Sequence, residues 1–152
     1  MTDTKIEIRG LEEAQAKAEQ VARDLRGPPF LQGMRDATLI VQRAAKINAP
    51  VDTGRLRASI MPEVRRGPTV QGIVGSNVKY APYMELGTKP HFPPLQALAT
   101  WARRHGMTAW NVAISIARKG TKARRYLQKA VEDNSDKIVN LLDKVVARIV
   151  SK

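Results

Sequence analysis

Two turn signals rich in proline and glycine bracket the middle of this chain, and they limit the folds that are open to it. The first is Asp52-Thr53-Gly54 and the second ends at Gly87. Between them, two apolar stretches flank Arg66-Gly67-Pro68, a pattern typical of two antiparallel strands joined by a tight loop. Because the sequence on both sides has helical spacing, we predict an α+β fold: a small antiparallel sheet packed by N-terminal helices and a long C-terminal helix.

Apolar residues return every three or four positions through most of the rest of the chain. A short alternating stretch around Ile6 and Ile8 precedes the first helix. The last helix carries a heptad-like apolar seam from Leu127 to Ile149. The predicted helices are Leu11 to Leu25, Pro29 to Asn48, a short segment through Arg57, Tyr80 to Leu86 closed by Gly87 in a left-handed conformation, Pro94 to His105, Thr108 to Lys119, and a long final helix from about Ala123.

The length of 152 residues suits one domain that can bury about two-thirds of its unfolded surface. We predict a single domain over 1–152, with a helical arm (1–28), a helix (29–49), a turn, hairpin and short helix (50–88), and a proline loop with C-terminal helices (89–152). The chain has no cysteine, which excludes disulfides and thiolate sites and is typical of a reducing cytoplasm. No segment has the roughly 18 apolar residues of a membrane span, so no membrane partner is expected.

The formal net charge of +12 is unevenly distributed. Residues 1–30 carry five basic and six acidic side chains, whereas the stretch from Trp101 to Lys129 carries eight basic and no acidic ones. The positive electrostatic field of this stretch would attract DNA or an acidic protein surface. A basic face that is merely solvated remains an equal alternative. The residues proposed to contact a polyanion are Arg103, Arg104, Arg118, Lys119, Lys122, Arg124, Arg125 and Lys129.

No catalytic, cofactor or metal site is predicted. Two histidines, His91 and His105, are too few for a metal centre, and neither belongs to a nucleophile elbow. Asp52 is interpreted as a helix cap and Glu85 as an ion-pair partner of Arg55 or Arg57. The glycines do not form a phosphate-binding loop. Trp101 and Trp110 are expected in the core. In its N-terminal half, the helix of Trp110 has no polar residues besides Asn111 and Ser115 to read base edges.

Two motifs resemble the head-to-tail joining family of long-tailed bacteriophages. The first is a turn of proline, acid, threonine and glycine followed by Leu-Arg-x-Ser-Ile, and the second is Tyr-Ala-x-x-x-Glu-x-Gly-Thr after the hairpin. A looser match follows in the proline-rich loop Pro90 to Pro94 and in Tyr126-Leu127, so the resemblance spans roughly residues 30 to 145. The motif residues are Pro50, Asp52, Thr53, Gly54, Leu56, Arg57, Ser59, Ile60, Tyr80, Ala81, Glu85, Gly87 and Thr88.

The resemblance implies a structural virion protein without enzymatic activity or cofactor. It would assemble in multiple copies, as a homo-oligomeric ring, at the head–tail junction or upper tail, after synthesis in the host cytoplasm. Its partners would be other neck, connector or tail-tube proteins, with DNA passing through the assembly. The exposed edge of the hairpin and the motif loops are the expected contacts between subunits. The alternative function is non-specific nucleic-acid binding through the basic helices.

Overall fold

A computed structural model describes residues 11–151, which form eight α-helices and one two-stranded antiparallel sheet. The predicted α+β fold class is confirmed. The stretch around Ile6 and Ile8 lies outside the described residues. In chain order the elements are α1 (Leu11–Asp24), α2 (Pro28–Asn48), α3 (Arg55–Ala58), β1 (Ile60–Arg65), β2 (Gln71–Ser76), α4 (Ala81–Leu86), α5 (Leu95–Arg104), α6 (Ala109–Lys119), α7 (Tyr126–Glu132) and α8 (Ser135–Val150).

The described residues divide into two compact units. The first unit contains residues up to 40, residues 62–73 and residues from 134 onward, and the second contains residues 41–61 and 74–133. Both predicted turn motifs and all of the predicted polyanion contacts lie in the second unit. The second unit is therefore where the candidate functional residues are found.

The first unit has a core formed by α2 and α8. Leu31, Ala37 and Thr38 are buried on α2, and Ile149 is buried on α8. Strand β2 lies against α2 so closely that a Cβ atom at Gly72 would be 2.6 Å from the Thr38 methyl carbon. Helix α1 packs against α8, so the amphipathic N-terminal and C-terminal helices of the sequence pattern meet in this unit.

The core of the second unit consists largely of small side chains. Ala45, Ala113 and Ala130 have no solvent exposure, and the largest fully buried side chains are Ile60 and Tyr126. Alanine at such positions lets helix backbones approach closely, and α5 packs on α6 while α4 packs on α7. The close approach explains how backbone groups of segments far apart in sequence come within hydrogen-bonding distance.

The C-terminal helix begins later than the sequence predicts. The predicted start at Ala123 is wrong, because Arg125 has a left-handed backbone (φ 50°, ψ 38°) and the helix starts only at Tyr126. A turn at Asp133-Asn134 then separates α7 from the long helix α8 of 16 residues. Asn134, with φ −120° and ψ 8°, is not helical, and asparagine is a favoured residue at helix starts. The predicted apolar seam is buried or half-buried from Ile138 to Ile149.

The prediction that both tryptophans are in the core is wrong for Trp110. Trp101 is half-buried and stacks on His105 with ring centroids 4.2 Å apart. Trp110 is 56% exposed and contacts the edge of Phe92, which is also exposed. On α6 it is Ala113 that is buried, because only a small side chain fits where α6 packs closely on α5.

Candidate assembly site

The first motif forms a turn that a salt bridge joins to α5. A carboxylate oxygen of Asp52 accepts a hydrogen bond from Nη2 of Arg104, and both side chains are partly exposed. The residue at the start of α3 is Gly54, which has a left-handed backbone (φ 79°, ψ −8°), and no side-chain hydrogen bond caps the helix. The prediction that Asp52 caps this helix is therefore wrong. Thr53 contributes only a long contact, in which its Oγ1 accepts from the Arg55 N–H at 3.5 Å.

Serine hydroxyls hold the base of the hairpin. Ser59 Oγ lies 2.7 Å from Ser76 Oγ and donates to the Leu56 carbonyl at 2.7 Å. Ser76 Oγ also accepts the N–H of Val78 at 3.2 Å. Together these bonds join the end of α3, the start of β1 and the chain after β2. Leu56 and Ile60 of the same motif are buried, whereas Arg57 is exposed.

The two motifs meet at a shallow depression on the second unit. Its walls come from the segment after the first turn and from the segment before α4, and it carries two cations and several polar groups. The lining residues are Arg55, Ala58, Ser59, Asn77, Val78, Lys79 and Tyr80. The sequence separates these segments by about twenty residues, and the antiparallel hairpin brings them together.

Glu85 is the cap of a distant helix. Its Oε2 accepts the N–H of Leu127 and its Oε1 accepts the N–H of Gln128, both at 2.9 Å. These are the second and third residues of α7, and the residue preceding α7 provides no side-chain cap. One carboxylate thus satisfies two N–H groups that a helix start leaves unpaired, and its charge opposes the positive end of the helix dipole. The predicted ion pair of Glu85 with Arg55 or Arg57 is wrong.

Two Gly-Thr pairs that are far apart in the sequence, Gly87-Thr88 and Gly120-Thr121, are joined by hydrogen bonds. Thr88 and Thr121 exchange backbone hydrogen bonds at 3.1 and 3.2 Å as an antiparallel bridge. Thr88 Oγ1 also accepts from the N–H and the hydroxyl of Thr121 at 3.1 and 3.0 Å. The glycine before each threonine has positive φ and an extended ψ. Gly87 has φ 72° and ψ −174°, and Gly120 has φ 69° and ψ −162°. Gly87 therefore ends α4 with positive φ as predicted, but not in the left-handed helical conformation.

Tyr126 is the first residue of α7. Its side chain is fully buried, and its hydroxyl has no hydrogen-bond partner among the described residues. Burial raises the pKa of the Tyr126 phenol, and the nearby Glu85 and Tyr80 side chains raise this pKa further. The ring contributes apolar packing, while the hydroxyl contributes an unpaired polar group.

Replacing Tyr126 with phenylalanine is expected to leave the unfolding free energy unchanged or raise it by up to about 1 kcal/mol, because an unpaired buried hydroxyl is removed. The raised pKa means that the unfolded chain loses the phenolic proton first, at about pH 10. Stability of the wild type should therefore decline as pH rises from about 10, and this component should be absent in Tyr126→Phe. Urea unfolding between pH 8 and 11 measures both effects. A loss above about 1 kcal/mol at pH 8 would contradict the unpaired hydroxyl.

The structure distributes the predicted polyanion contacts unequally. Arg103 and Arg104 end α5, and Lys129 is on α7. The remaining five residues lie between positions 118 and 125. All eight side chains of the predicted polyanion contacts are exposed. Arg104 is engaged with Asp52. The other five cations are therefore grouped within eight consecutive positions.

Two classes of site find no support among residues 11–151. No cluster of three or more acidic, histidine or cysteine side chains there could hold a metal ion. His91 Nδ1 lies 2.9 Å from the Lys89 carbonyl oxygen, and His105 Nδ1 lies 2.9 Å from the Trp101 carbonyl oxygen, so both histidines have local backbone contacts. None of the described helices is both long enough and apolar enough to cross a bilayer.

Residues 30–87 match a family model described as "Bacteriophage HK97-gp10, putative tail-component". This segment is similar to that family. The match confirms the resemblance to phage head-to-tail joining and tail proteins, over a shorter range than the 30 to 145 expected from the motifs. No curated protein and no solved structure gives a significant match to the chain.

The HK97-gp10-like segment holds all the motif residues except Thr88, and several of their partners also lie outside it. Arg104, Thr121, Leu127 and Gln128 follow residue 87 in the sequence and contact motif residues in the structure. Sequence reasoning missed Gly120 and Thr121. The signal available for them was the repeated Gly-Thr pair, which was interpreted only as a helix stop.

Proposed function

We propose that this protein is a structural subunit of a phage tail or head–tail junction that works by assembly and catalyses no reaction. Copies of the chain join one another in a closed ring and contact neighbouring neck, connector or tail-tube proteins. The observation that carries the proposal is the match of residues 30–87 to a phage tail-component family. In this proposal the virion is the final location, reached from the host cytoplasm.

Helix α4 supports an assembly role because its two faces differ. Its inner face contributes buried Ala81 and the capping carboxylate of Glu85. Its outer face presents Tyr83, which is 60% exposed, and Leu86, which is 75% exposed. Residues three apart on a helix are neighbours, so these two side chains form one apolar patch. Large exposed apolar groups of this kind mark contact surfaces.

The rest of the second unit is similarly apolar on its surface. Of the fourteen large apolar side chains that are exposed among the described residues, eleven lie in the second unit. The three in the first unit are Leu39, Val139 and Val150. The concentration around the motifs agrees with an interface there, since scattered single apolar residues would be spread over both units.

The hairpin offers a second means of joining copies. The sheet has only two strands, and no described strand pairs with the outer edge of β1 or β2. On β1, Pro62 has no N–H, and the Ile60 carbonyl already accepts Gln42 Nε2 at 2.8 Å. Strand β2 is therefore the better candidate for pairing with a neighbouring copy. Head-to-tail pairing of this kind closes into a ring when the rotation allows it.

Complementation of a phage that lacks this protein tests the proposal. The wild-type chain should restore infectious particles and be present in them in several copies, as counted by quantitative mass spectrometry and electron microscopy. Leu86→Glu should fold, as judged by its urea midpoint, yet restore at least about 100-fold fewer particles. This estimate assumes that the contact contributes the few kcal/mol of a well-buried interface residue.

Val139→Glu is the matched control, because Val139 is also exposed but lies on α8 of the first unit. It should restore particles as the wild type does. Normal infectious tails formed without any copy of the chain would refute the proposed function. Equal restoration by Leu86→Glu would refute the assignment of α4 as the contact.

A further inference from the structure

The last two residues of α6 and the segment that leads from there to α7 concentrate positive charge. We define the basic loop as residues 118–125, in which five of eight residues are basic: Arg118, Lys119, Lys122, Arg124 and Arg125. All five side chains are exposed, and none forms an ion pair with a carboxylate among residues 11–151. The sequence itself places no acidic residue between Leu86 and Val131. The charge of the basic loop is therefore not neutralised locally.

The second motif holds the backbone of this loop in one conformation. Thr121 is bridged to Thr88 by backbone and side-chain hydrogen bonds. The N–H groups of Arg124 and Arg125 donate to the carbonyls of Met84 and Glu85 at 2.8 and 3.0 Å. The Glu85 carboxylate then caps the helix that follows. Hydrogen bonds thus fix the loop at its middle and at its end.

Arg125 carries backbone strain at the end of the loop. It is the one residue other than glycine with positive φ in the described part of the chain. A left-handed backbone is unfavourable for arginine and persists only where the surroundings enforce it, which is common at binding sites. The strained residue thus lies in a segment of eight residues with five like charges, and like charges repel one another unless a partner neutralises them.

The residues between the cations indicate the class of partner. They are Gly120, Thr121 and Ala123, so the basic loop has no large apolar side chain. Protein interfaces have an apolar core to which charged groups form a rim. Contacts to nucleic-acid phosphates need only cations, hydroxyls and backbone N–H groups. The composition of the loop therefore favours phosphates over an acidic protein surface.

We infer that the basic loop binds the phosphate backbone of DNA without sequence preference. Binding requires neither the exposed apolar patch of α4 nor a ring. The inference rests on the proposed tail role only for the source of the DNA, which would be the genome leaving the head. Its experiment uses purified protein, so failure of the tail role and failure of DNA binding give different results.

The test is fluorescence anisotropy of a labelled 25-base-pair duplex of arbitrary sequence with the full chain, from about 50 to 200 mM NaCl. With about five phosphates neutralised, the logarithm of the association constant should fall against the logarithm of salt with a slope of about −4 to −5. A second duplex of unrelated sequence should bind equally. Poly-L-glutamate of matched length, the probe for an acidic protein surface, should bind more weakly than DNA.

The variant Arg118→Gln/Lys122→Gln/Arg124→Gln should reduce the slope by about 2 to 3 and the affinity by at least about tenfold at 100 mM NaCl. The matched control is Lys137→Gln/Lys144→Gln/Arg148→Gln, which removes three exposed charges from α8 and should change the slope by less than about 1. Circular dichroism verifies the fold of both variants. The single variant Lys122→Gln, outside any helix, should reduce the slope by about 0.9.

Three results would overturn the inference: no DNA binding or salt-independent binding by the wild type, equal losses in the loop variant and the α8 control, or tighter binding of poly-L-glutamate than of DNA. The last would assign the loop to an acidic protein partner. If the triple variant does not fold, the wild-type salt slope, the poly-L-glutamate comparison and Lys122→Gln still decide the question.

Discussion

Gly120→Ala is expected to destabilise the second unit by about 3 kcal/mol or more. The backbone of Gly120 has φ 69° and ψ −162°, a region that costs other residues about 1–3 kcal/mol. In addition, the new Cβ atom would lie 2.0 Å from the Thr88 carbonyl oxygen, and relieving such overlap typically costs about 1–3 kcal/mol more. Both tryptophans lie in the second unit, so urea unfolding followed by tryptophan fluorescence reports on this unit.

Gly106→Ala is the control for Gly120→Ala. Gly106 also has positive φ, at 67°, but a Cβ atom there would meet nothing within 4 Å. Only the conformational cost of about 1–2 kcal/mol is expected for this variant. Equal losses in the two variants would mean that the close contact between the two Gly-Thr pairs contributes nothing to stability.

Glu85→Ala is expected to lower the unfolding free energy of the second unit by about 2–3 kcal/mol. The change leaves the N–H groups of Leu127 and Gln128 without the carboxylate that accepts both. Hydrogen bonds to a charged group each contribute about 1.5–3 kcal/mol, and water can replace part of that at a half-buried position. Tryptophan fluorescence in urea again provides the measurement.

Two further carboxylate variants make the Glu85 result interpretable. Glu85→Gln keeps one acceptor oxygen and should lose about half as much as Glu85→Ala. Asp52→Ala removes a carboxylate of the first motif that forms a partly exposed ion pair with Arg104, and should lose less than about 1 kcal/mol. A larger loss in Asp52→Ala than in Glu85→Ala would reverse the roles that the structure assigns to these residues.

The helices and the hairpin could be predicted from the sequence because their signals are local. Proline and glycine mark the ends of α2 and α6, and the apolar spacing of α8 identifies its buried side. Thr108, where the predicted helix begins, caps α6 by accepting the Asn111 N–H. Such features depend on residues within one or two turns of each other, so a single sequence is enough to find them.

The roles of Asp52 and Glu85 could not be predicted in the same way. Sequence reasoning made Asp52 the cap and Glu85 the ion-pair partner, and the structure exchanges the two roles. Asp52 pairs with a residue 52 positions away, and Glu85 caps residues 42 and 43 positions away. A local pattern shows that a carboxylate is available, whereas the packing of distant segments determines which donor it meets.

The break between α7 and α8 and the exposure of Trp110 have the same origin. An apolar period can continue through a turn, so the seam from Leu127 to Ile149 gave no sign of the interruption at Asp133-Asn134. For α6, close packing on α5 selects Ala113 as the inward residue and leaves Trp110 at the surface. Residue size at the contact, which periodicity ignores, decided the orientation.

The Glu85 cap and the Gly87-Thr88 bridge have a consequence for how relatives of this chain can be recombined. Glu85 belongs to the family-like segment and Thr88 follows directly after it, while their donors come from the start of α7 and from Thr121. A chimera that joined residues 30–88 to the C-terminal half of a different tail-family protein would inherit Glu85 and Thr88 without their hydrogen-bond donors. The two halves must therefore be exchanged together or redesigned as a matched pair.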